Sequence, residues 1–281
     1  MTLRQALTRA TEMLANLEDI ENPSLESEVL LKHALQIDRV KLLLEWHKEL
    51  SPEKEVTFFK WIERRLQGEP IAYIIHCREF YGLDFYVDNR VLIPRPETEL
   101  LVEEAIGFVQ KYPLNAIADI GTGSGAVAIS LAVNLSSQAR IYATDISASA
   151  LAVADINCRK HAVVDRITLL QGDLLDPLPE PVDLLIANLP YVQKSDLAGM
   201  PFARYEPPLA LDGGESGLDK VFRLCRQLKG KVRPGGCVLL EIGEGQGKAV
   251  NEFLLALFPS AAIDLIPDLA RIERVVKVNL S

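Results

Sequence analysis

Apolar residues in the first 70 positions recur at the spacing of an α-helix. The first set is spaced 4-3-4-3, so its members align along one helical face. These members are Leu3, Leu7, Ala10, Leu14 and Leu17. Asn22-Pro23 is a start signal for a second helix, because asparagine caps helices and proline is tolerated in the first turn. The residues expected on the inner face of that helix are Leu25, Val29, Leu30 and Ala34.

A further helix is predicted after Ser51-Pro52, which again places a cap residue before a proline. Its apolar positions are Phe59, Trp61 and Leu66. Gly68 and Pro70 end this helix. We therefore expect residues 1–70 to form a small α-helical bundle domain that docks a protein substrate.

The pattern changes between residues 71 and 92, which we expect to link two domains. Phe80–Val87 is rich in aromatic residues and has Gly82 near its middle. This composition predicts a short β-hairpin.

From residue 93 to residue 281, short apolar runs alternate with helical stretches. Seven runs are predicted to be strands: Ala116–Ile120, Arg140–Thr144, Ile167–Leu170, Val182–Ala187, Cys237–Ile242, Ala261–Ile266 and Arg274–Asn279. Such alternation is typical of a mostly parallel, doubly wound sheet in an α/β domain. Arg233–Gly236 is interpreted as a turn before the fifth strand. The last two strands are joined by a short connection and are expected to be antiparallel.

The overall charge narrows the classes of function. The 281 residues carry a net charge of −9. That charge argues against a protein that coats nucleic acid, because binding to phosphates requires a surplus of lysine and arginine. A net charge of −9 is still compatible with a local basic patch on the surface.

The cysteines and the lengths of the apolar runs indicate in which cellular compartment the protein is found. Cys77, Cys158, Cys225 and Cys237 form no C-x-x-C pair, so we expect no metal site and no disulfide framework, in a reducing cytoplasm. The amphipathic start of the chain lacks the apolar centre of a signal peptide, and no run approaches the roughly 20 residues that span a bilayer. We expect no association with a membrane.

A glycine-rich loop follows the first predicted strand. Asp119–Gly125 reads Asp-Ile-Gly-Thr-Gly-Ser-Gly and opens a helix, and such loops let the backbone approach a ligand closely. Asp145 ends the second strand, where a carboxylate can accept hydrogen bonds from both hydroxyls of a ribose. A nucleoside-containing cofactor is therefore expected. NAD and S-adenosylmethionine both stay open, because Gly121-x-Gly123-x-x-Ala126 also fits the dinucleotide fingerprint.

Two further carboxylates favour S-adenosylmethionine. Asp119 directly precedes the loop, where a negative charge suits the ammonium group of a methionine better than a pyrophosphate. Asp173 follows the third strand and could accept a hydrogen bond from an adenine amino group, although an exposed loop aspartate is the more common case.

The fourth strand ends in Asn188-Leu189-Pro190-Tyr191, at the edge of the sheet where substrates bind. A hydride-transfer enzyme would need a proton donor or acceptor here, and asparagine is neither. Methyl transfer to an amide or an exocyclic amine instead needs acceptors that hold the N–H groups and aim the nitrogen lone pair. The Asn188 side-chain oxygen and the Leu189 carbonyl can do this together, while Tyr191 offers a face for a planar group. No strong base is required.

The chain resembles the protein glutamine-N5 methyltransferases that modify peptide chain release factors, the HemK/PrmC family of class I S-adenosylmethionine-dependent methyltransferases. The resemblance spans the whole chain and rests on the helical domain, the glycine loop, Asp145, the Asn188 turn and three other segments. Those segments are Glu79–Leu83, Val91–Glu99 and Glu206–Gly214. Ile93–Glu99 is the most specific part, because many methyltransferases share the glycine loop and few share this segment.

The resemblance implies a Rossmann-like, seven-stranded class I methyltransferase domain and a Gly-Gly-Gln glutamine of a release factor as methyl acceptor. It places Asn188, Leu189, Pro190 and Tyr191 on the glutamine amide. The residues implied in cofactor binding are Asp119, Gly121, Thr122, Gly123, Ser124, Gly125, Asp145, Asp173, Leu174 and Asn188. Leu189 departs from the usual Asn-Pro-Pro-Tyr. If its carbonyl is what matters, Leu189→Pro should leave activity nearly unchanged, and Asn188→Ala should remove most of it.

Several alternatives remain open at this point. An Asn-Leu-Pro-Tyr turn is similar to that of the ribosomal RNA adenine dimethylases, but those carry their helical domain after the catalytic one. A nucleic-acid adenine-N6 methyltransferase is the nearest rival, followed by a glutamine methyltransferase that acts on a ribosomal protein. An NAD-dependent oxidoreductase and a non-catalytic binding protein are weaker. We expect a monomer, no direct contact with nucleic acid, and Arg95 and Glu97 to brace the hairpin rather than to contact the cofactor.

Overall fold

The computed structural model describes residues 1–15, 20–136, 139–200 and 203–280. It divides into two compact units, Met1–His76 and Cys77–Ser281. The domain limits expected at residues 70 and 92 stay a prediction. No helix within the described ranges is long and apolar enough to cross a membrane.

The first unit is helical. Its helices are α1 (Leu3–Leu14), α2 (Pro23–Leu35), α3 (Arg39–Leu44), α4 (Pro52–Leu66) and α5 (Ile71–Ile75). The side chains of Asn22 and Ser51 accept hydrogen bonds at the starts of α2 and α4, each followed by a proline in the first turn. Both start signals predicted from the sequence are thus present.

The core of this unit corrects two details of the sequence reading. Leu25 was expected to face inward but is 49% exposed, whereas Leu31 is fully buried beside Leu30. Leu25 lies in the first turn of α2, where its backbone N–H bonds to the Asn22 cap. On α4 the fully buried residues are Phe58 and Ile62. The predicted Phe59, Trp61 and Leu66 are partly buried against that core, and Leu17 lies outside the described residues.

The second unit opens with the predicted hairpin. Strands β1 (Arg78–Phe80) and β2 (Leu83–Phe85) pair antiparallel. Gly82 has a φ of +73°, which a tight turn requires and glycine adopts without strain. Phe80 and Phe85 are buried, with ring centroids 6.1 Å apart, so the hairpin contributes to the core.

A seven-stranded sheet forms the centre of this unit, as predicted. Its strands are β3 (Ala116–Ile120), β4 (Arg140–Asp145), β5 (Ile167–Gln171), β6 (Val182–Ala187), β7 (Val232–Glu241), β8 (Ala262–Pro267) and β9 (Glu273–Asn279). The order is β5-β4-β3-β6-β7-β9-β8. β9 is antiparallel to both neighbours, and the other pairs are parallel. The accompanying helices are α6 (Glu99–Val109), α7 (Ala126–Asn134), α8 (Ala148–Lys160), α9 (Asp219–Gln227) and α10 (Gly247–Leu257).

The segment expected as a turn at Arg233–Gly236 is instead part of β7. Val232 pairs with Val182, and the next pair is Cys237 with Leu184, so the intervening residues bulge out of the ladder. Gly235 supports this bulge with a φ of +78°.

The strand order reverses at β3, whose neighbours are β4 and β6. The carboxyl ends of these three parallel strands therefore meet at one edge. In doubly wound sheets a ligand crevice opens at this position.

Candidate active site

A cavity of about 160 Å³ lies at this edge of the sheet, within the second unit. Its lining combines the glycine loop, the ends of β4, β5 and β6, and α9. Eight of the residues predicted from the sequence line it: Gly121, Gly123, Asp145, Asp173, Leu174, Asn188, Leu189 and Pro190. The predicted residues that are not part of the lining are Asp119, Thr122, Ser124, Gly125 and Tyr191.

The glycine loop is held against β4 by its own backbone. The amide of Gly121 donates to the carbonyl of Thr144 at 2.9 Å, and the amide of Gly123 donates to Asp145 Oδ2 at 2.9 Å. Gly121, Gly123 and Gly125 have φ values of +74°, +56° and +82°, a region that side chains with a Cβ rarely adopt. The loop therefore presents bare backbone to the cavity.

The Asp145 carboxylate anchors the glycine loop and can still accept further hydrogen bonds. Its Oδ2 accepts from Gly123, and its Oδ1 accepts from the amide of Ser147 at 2.9 Å. Burial raises the pKa of Asp145 above its usual range, while these backbone hydrogen bonds lower it. Each carboxylate oxygen can accept a second hydrogen bond, so a pair of ribose hydroxyls fits this side chain.

Asp119 lies behind the loop. It is 3% exposed, and its Oδ2 accepts from the Thr122 hydroxyl at 2.6 Å and from the amide of Ala128 at 3.2 Å. Burial raises the pKa of Asp119 to about 6 against the effect of these two donors. These contacts anchor the loop to the first turn of α7, and the expected contact with an ammonium group stays a prediction.

The far end of the cavity carries a charged pair that the sequence reading missed. Asp173 forms an ion pair with Arg223 of α9, and Lys220 lines the cavity one turn earlier on the same helix. The spacing of Lys220 and Arg223 on an amphipathic helix was the available signal. Leu174 lines the cavity beside Asp173 with a φ of +50°.

The Asn188 turn closes the cavity on the β6 side. The Asn188 side-chain nitrogen Nδ2 donates to the hydroxyl of Thr98 at 3.0 Å, which leaves Oδ1 as the acceptor end of the amide. Leu189 is buried, and its Cδ2 atom lies 3.1 Å from the position that a Cβ would occupy at Gly121. The turn and the glycine loop are therefore in direct contact.

Tyr191 is not part of the cavity lining, and its hydroxyl lies beside Glu241 at the end of β7. The Tyr191 hydroxyl donates to Glu241 Oε1 at 3.4 Å, and burial raises the pKa of Tyr191 to about 12. Glu241 is 2% exposed, and burial raises its pKa to about 7. The sequence reading missed Thr98 and Glu241. A carboxylate that ends a buried strand was the signal for Glu241.

The Ile93–Glu99 segment is fixed by Glu206. The carboxylate of Glu206 accepts from the amide of Ile93 at 3.1 Å and from Arg95 Nη2 at 2.5 Å. Pro207, Leu209 and Ala210, which follow Glu206, line the cavity. Arg95 thus connects the Ile93–Glu99 segment to the segment that begins at Glu206, and its expected bracing of the hairpin stays a prediction.

The match to known families covers both units. The PrmC N-terminal domain family matches residues 5–75, and the methyltransferase small domain family matches residues 97–202. The release factor glutamine methyltransferase of Moorella thermoacetica is 46% identical over 276 residues, 98% of this chain and 97% of its own length. The enzyme of the same name from Geobacter sulfurreducens is 40% identical, over 89% of this chain and 87% of its length.

Solved structures share the fold. A methyltransferase from Pyrococcus furiosus has a TM-score of 0.51 at 16% identity and covers 77% of this chain and 96% of its own. A ribosomal protein L11 methylase from Lactobacillus delbrueckii has a TM-score of 0.50 at 24% identity, over 67% of this chain and 81% of its own. At these identities the likeness shows a Rossmann-like methyltransferase fold and no more.

Proposed function

The chain belongs to the family of release factor glutamine methyltransferases, and from that premise we propose that it methylates the side-chain amide nitrogen, N5, of a glutamine. The methyl donor is S-adenosylmethionine. The acceptor is the glutamine of the Gly-Gly-Gln motif in peptide chain release factors, in line with the names of these relatives.

The residues around the cavity fit this donor. The bare backbone of Gly121 and Gly123 suits the methionine part, Asp145 suits the ribose, and Asp173 with Leu174 suits the adenine. When bound, S-adenosylmethionine would supply the methyl group: the glutamine nitrogen bonds to the methyl carbon while the bond between that carbon and sulfur breaks and leaves its electron pair on the sulfur.

The Asn188 turn supplies the alignment. Asn188 Oδ1 and the Leu189 carbonyl accept hydrogen bonds from the two N–H groups of the glutamine amide. These two bonds fix the plane of the amide and direct its nitrogen at the methyl group. The methylated nitrogen then loses one proton to solvent, so no general base is needed. Alignment and exclusion of water account for the chemistry that this chain contributes.

We further propose how the protein meets its partners. The helical unit, Met1–His76, docks the release factor. The protein works as a monomer in the cytoplasm and makes no direct contact with nucleic acid, which the net charge of −9 supports.

The observation that carries the proposal is the orientation of Asn188, whose Nδ2 is held by Thr98 beside the glycine loop. The test is transfer of a radiolabelled methyl group from S-adenosylmethionine to a purified release factor and to a version with Gly-Gly-Ala. We expect label only on the Gly-Gly-Gln protein. Asn188→Ala should lower kcat about 100-fold or more.

Asn134→Ala is the matched control, since Asn134 is an exposed asparagine at the end of α7. It should leave the rate unchanged. Equal labelling of both release factor versions would contradict the proposed substrate, and an unchanged rate in Asn188→Ala would contradict the proposed role of the turn.

A further inference from the structure

Three glycines surround the backbone where the Asn188 turn ends. A Cβ at Gly213 would lie 2.8 Å from Cα of Tyr191, and a Cβ at Gly217 would lie 2.6 Å from the carbonyl oxygen of Tyr191. A Cβ at Gly243 would lie 3.1 Å from Cδ2 of the Tyr191 ring. These three residues form a slot, the glycine slot, in which the end of the turn fits only because the side chains are absent.

The segment that carries Gly213 also pairs with the chain that follows the turn. The amide of Val192 donates to the carbonyl of Leu211 at 3.2 Å, and the amide of Gly213 donates to the carbonyl of Val192 at 2.8 Å. These bonds fix the chain beyond Tyr191. The carbonyl of Tyr191 itself is held by a side chain.

That side chain is Gln246, whose amide closes the glycine slot. Its Nε2 donates to the carbonyl of Tyr191 at 3.0 Å, and its Oε1 accepts from the amide of Gly243 at 2.8 Å. A backbone carbonyl only accepts and a backbone amide only donates, so one orientation of the glutamine amide satisfies both groups.

Helix capping does not account for this glutamine. Gln246 is the N-cap residue of α10, a position where serine, threonine, aspartate and asparagine are the effective capping residues. Both ends of the Gln246 amide instead bond to groups outside that helix. The described lining of the cavity does not include Gln246, so any effect on the site acts through the Asn188 turn.

We propose that Gln246 is a positioning residue, which holds the carbonyl of Tyr191 in the glycine slot and thereby fixes the two acceptors of the Asn188 turn. The inference rests on the proposed function, because the place of these acceptors matters only when the substrate presents N–H donors. The Tyr191 carbonyl lies two residues beyond the Leu189 carbonyl. Pro190 between them has a restricted φ, so a shift of Tyr191 is passed on to Leu189.

Two substitutions of Gln246 separate hydrogen bonding from packing. Gln246→Met keeps the length of the side chain and removes both hydrogen bonds. Gln246→Glu can still accept from Gly243, but its carboxylate cannot donate to the Tyr191 carbonyl. We expect each to lower kcat about tenfold or more, because small misplacements of reacting groups are costly, with the KM for S-adenosylmethionine within about twofold of wild type. Gln110→Met and Gln110→Glu, at the exposed end of α6, are the matched controls and should leave kcat unchanged.

Gly217→Ala tests the glycine slot from its other side. Gly217 and Gly230 have φ values of +74° and +78°, so alanine meets similar backbone strain at both. Among the described residues, nothing lies within 4 Å of a Cβ at Gly230, whereas a Cβ at Gly217 meets the Tyr191 carbonyl. Only Gly217→Ala should lower kcat, about tenfold or more. Where Gly217→Ala does not fold, the variants of the partly exposed Gln246 decide the proposal.

A role of Gln246 in packing alone would give a different pattern. Methionine would then retain kcat, and any loss of activity would follow a lower melting temperature and weaker binding of S-adenosylhomocysteine. We expect both Gln246 variants to bind S-adenosylhomocysteine as wild type does in calorimetry while kcat falls. A kcat within about twofold of wild type in Gln246→Met would overturn the positioning role.

An NMR readout separates this inference from the proposed substrate. The carbonyl carbon of Tyr191 and the amide nitrogen of Val192 belong to one peptide group, and both signals report the hydrogen bond from Gln246 without any substrate. They should move in Gln246→Met and Gln246→Glu and stay in place in the Gln110 variants. Wild type that labels no release factor while these signals move would overturn the proposed substrate and still support the hydrogen bond. Unmoved signals would overturn the inference.

Discussion

Asn157 connects the hairpin to the glycine loop, and its removal should destabilise the second unit by several kcal/mol. This residue of α8 is 0% exposed. Its Oδ1 accepts from the amide of Tyr86 at 2.7 Å, and its Nδ2 donates to the carbonyls of Tyr86 and Ser124 at 2.9 Å each. A single side chain thus pairs the end of the hairpin and the loop that precedes α7.

The expected magnitude follows from these three hydrogen bonds. A buried hydrogen bond contributes about 1 to 1.5 kcal/mol net, and the loss of its partner adds desolvation cost. Asn157→Ala should therefore lower the free energy of unfolding by about 3 to 5 kcal/mol. Asn134→Ala, on an exposed helix end with a single bond to the carbonyl of Ser130, should cost less than about 0.5 kcal/mol.

Urea unfolding followed by circular dichroism measures both values, and native-state hydrogen exchange adds a local check at the amide of Tyr86. We expect the amide of Tyr86 to lose protection in Asn157→Ala. Because Ser124 belongs to the glycine loop, the affinity for S-adenosylhomocysteine should fall as well. A loss of stability within 1 kcal/mol of that in Asn134→Ala would refute the reasoning, since the three bonds would then add nothing beyond an exposed one.

Two further predictions concern the glycine loop and the buried carboxyls. Gly121→Ala should cost about 1 to 2 kcal/mol of stability because φ is +74°, and should also weaken S-adenosylhomocysteine binding because the new Cβ meets Leu189 at 3.1 Å. Gly235→Ala is the control, because φ is +78° and nothing lies within 4 Å of the new Cβ. It should lower the free energy of unfolding by a similar amount and leave S-adenosylhomocysteine binding unchanged in calorimetry. Equal losses of binding in both variants would argue against an effect of the contact between the new Cβ of Gly121→Ala and Leu189. The pKa of Glu241 rises from 4.5 to about 7 on folding. Between these two pH values the folded state therefore binds more protons than the unfolded state. The stability that protonated Glu241 contributes is present below pH 4.5 and is lost as the pH rises to about 7. Urea unfolding from pH 4 to pH 8 should show wild type losing about 3 kcal/mol relative to Glu241→Gln, and parallel curves would exclude this linkage.

The two central strands, β3 and β6, were predictable because they are short and almost entirely buried. Ala116–Ile120 and Val182–Ala187 are apolar except for one aspartate each, Asp119 and Asp183, and both strands have the predicted limits. A run of this kind has one stable environment, the centre of a sheet covered on both faces. The bulge at Arg233–Gly236 escaped prediction because proline and glycine favour a turn and a bulge alike.

The polar part of the site was only half predictable. Asp145 and Asn188 end strands at the carboxyl edge, so strand order alone brings them together. Thr98 and Glu206 have partners 90 and more than 100 positions away in the chain. Such distant pairs depend on how the elements pack, and the spacing of residues along one sequence does not contain that information.

Leu189 stands where the usual Asn-Pro-Pro-Tyr pattern has a proline. Here, side-chain packing can replace the restriction on φ that the proline would impose. A proline at this position would limit φ to one narrow range. Leucine leaves φ free, yet its side chain is buried in the same apolar cluster as Ile120 and Ala187 and contacts the loop at Gly121. The end of β3 and the end of β6 are thereby held in register beside the cavity. The carbonyl of Leu189 is consequently positioned by contacts between the Asn188 turn and the glycine loop. Under the proposed function, the core of the sheet itself would therefore set the alignment of the glutamine amide.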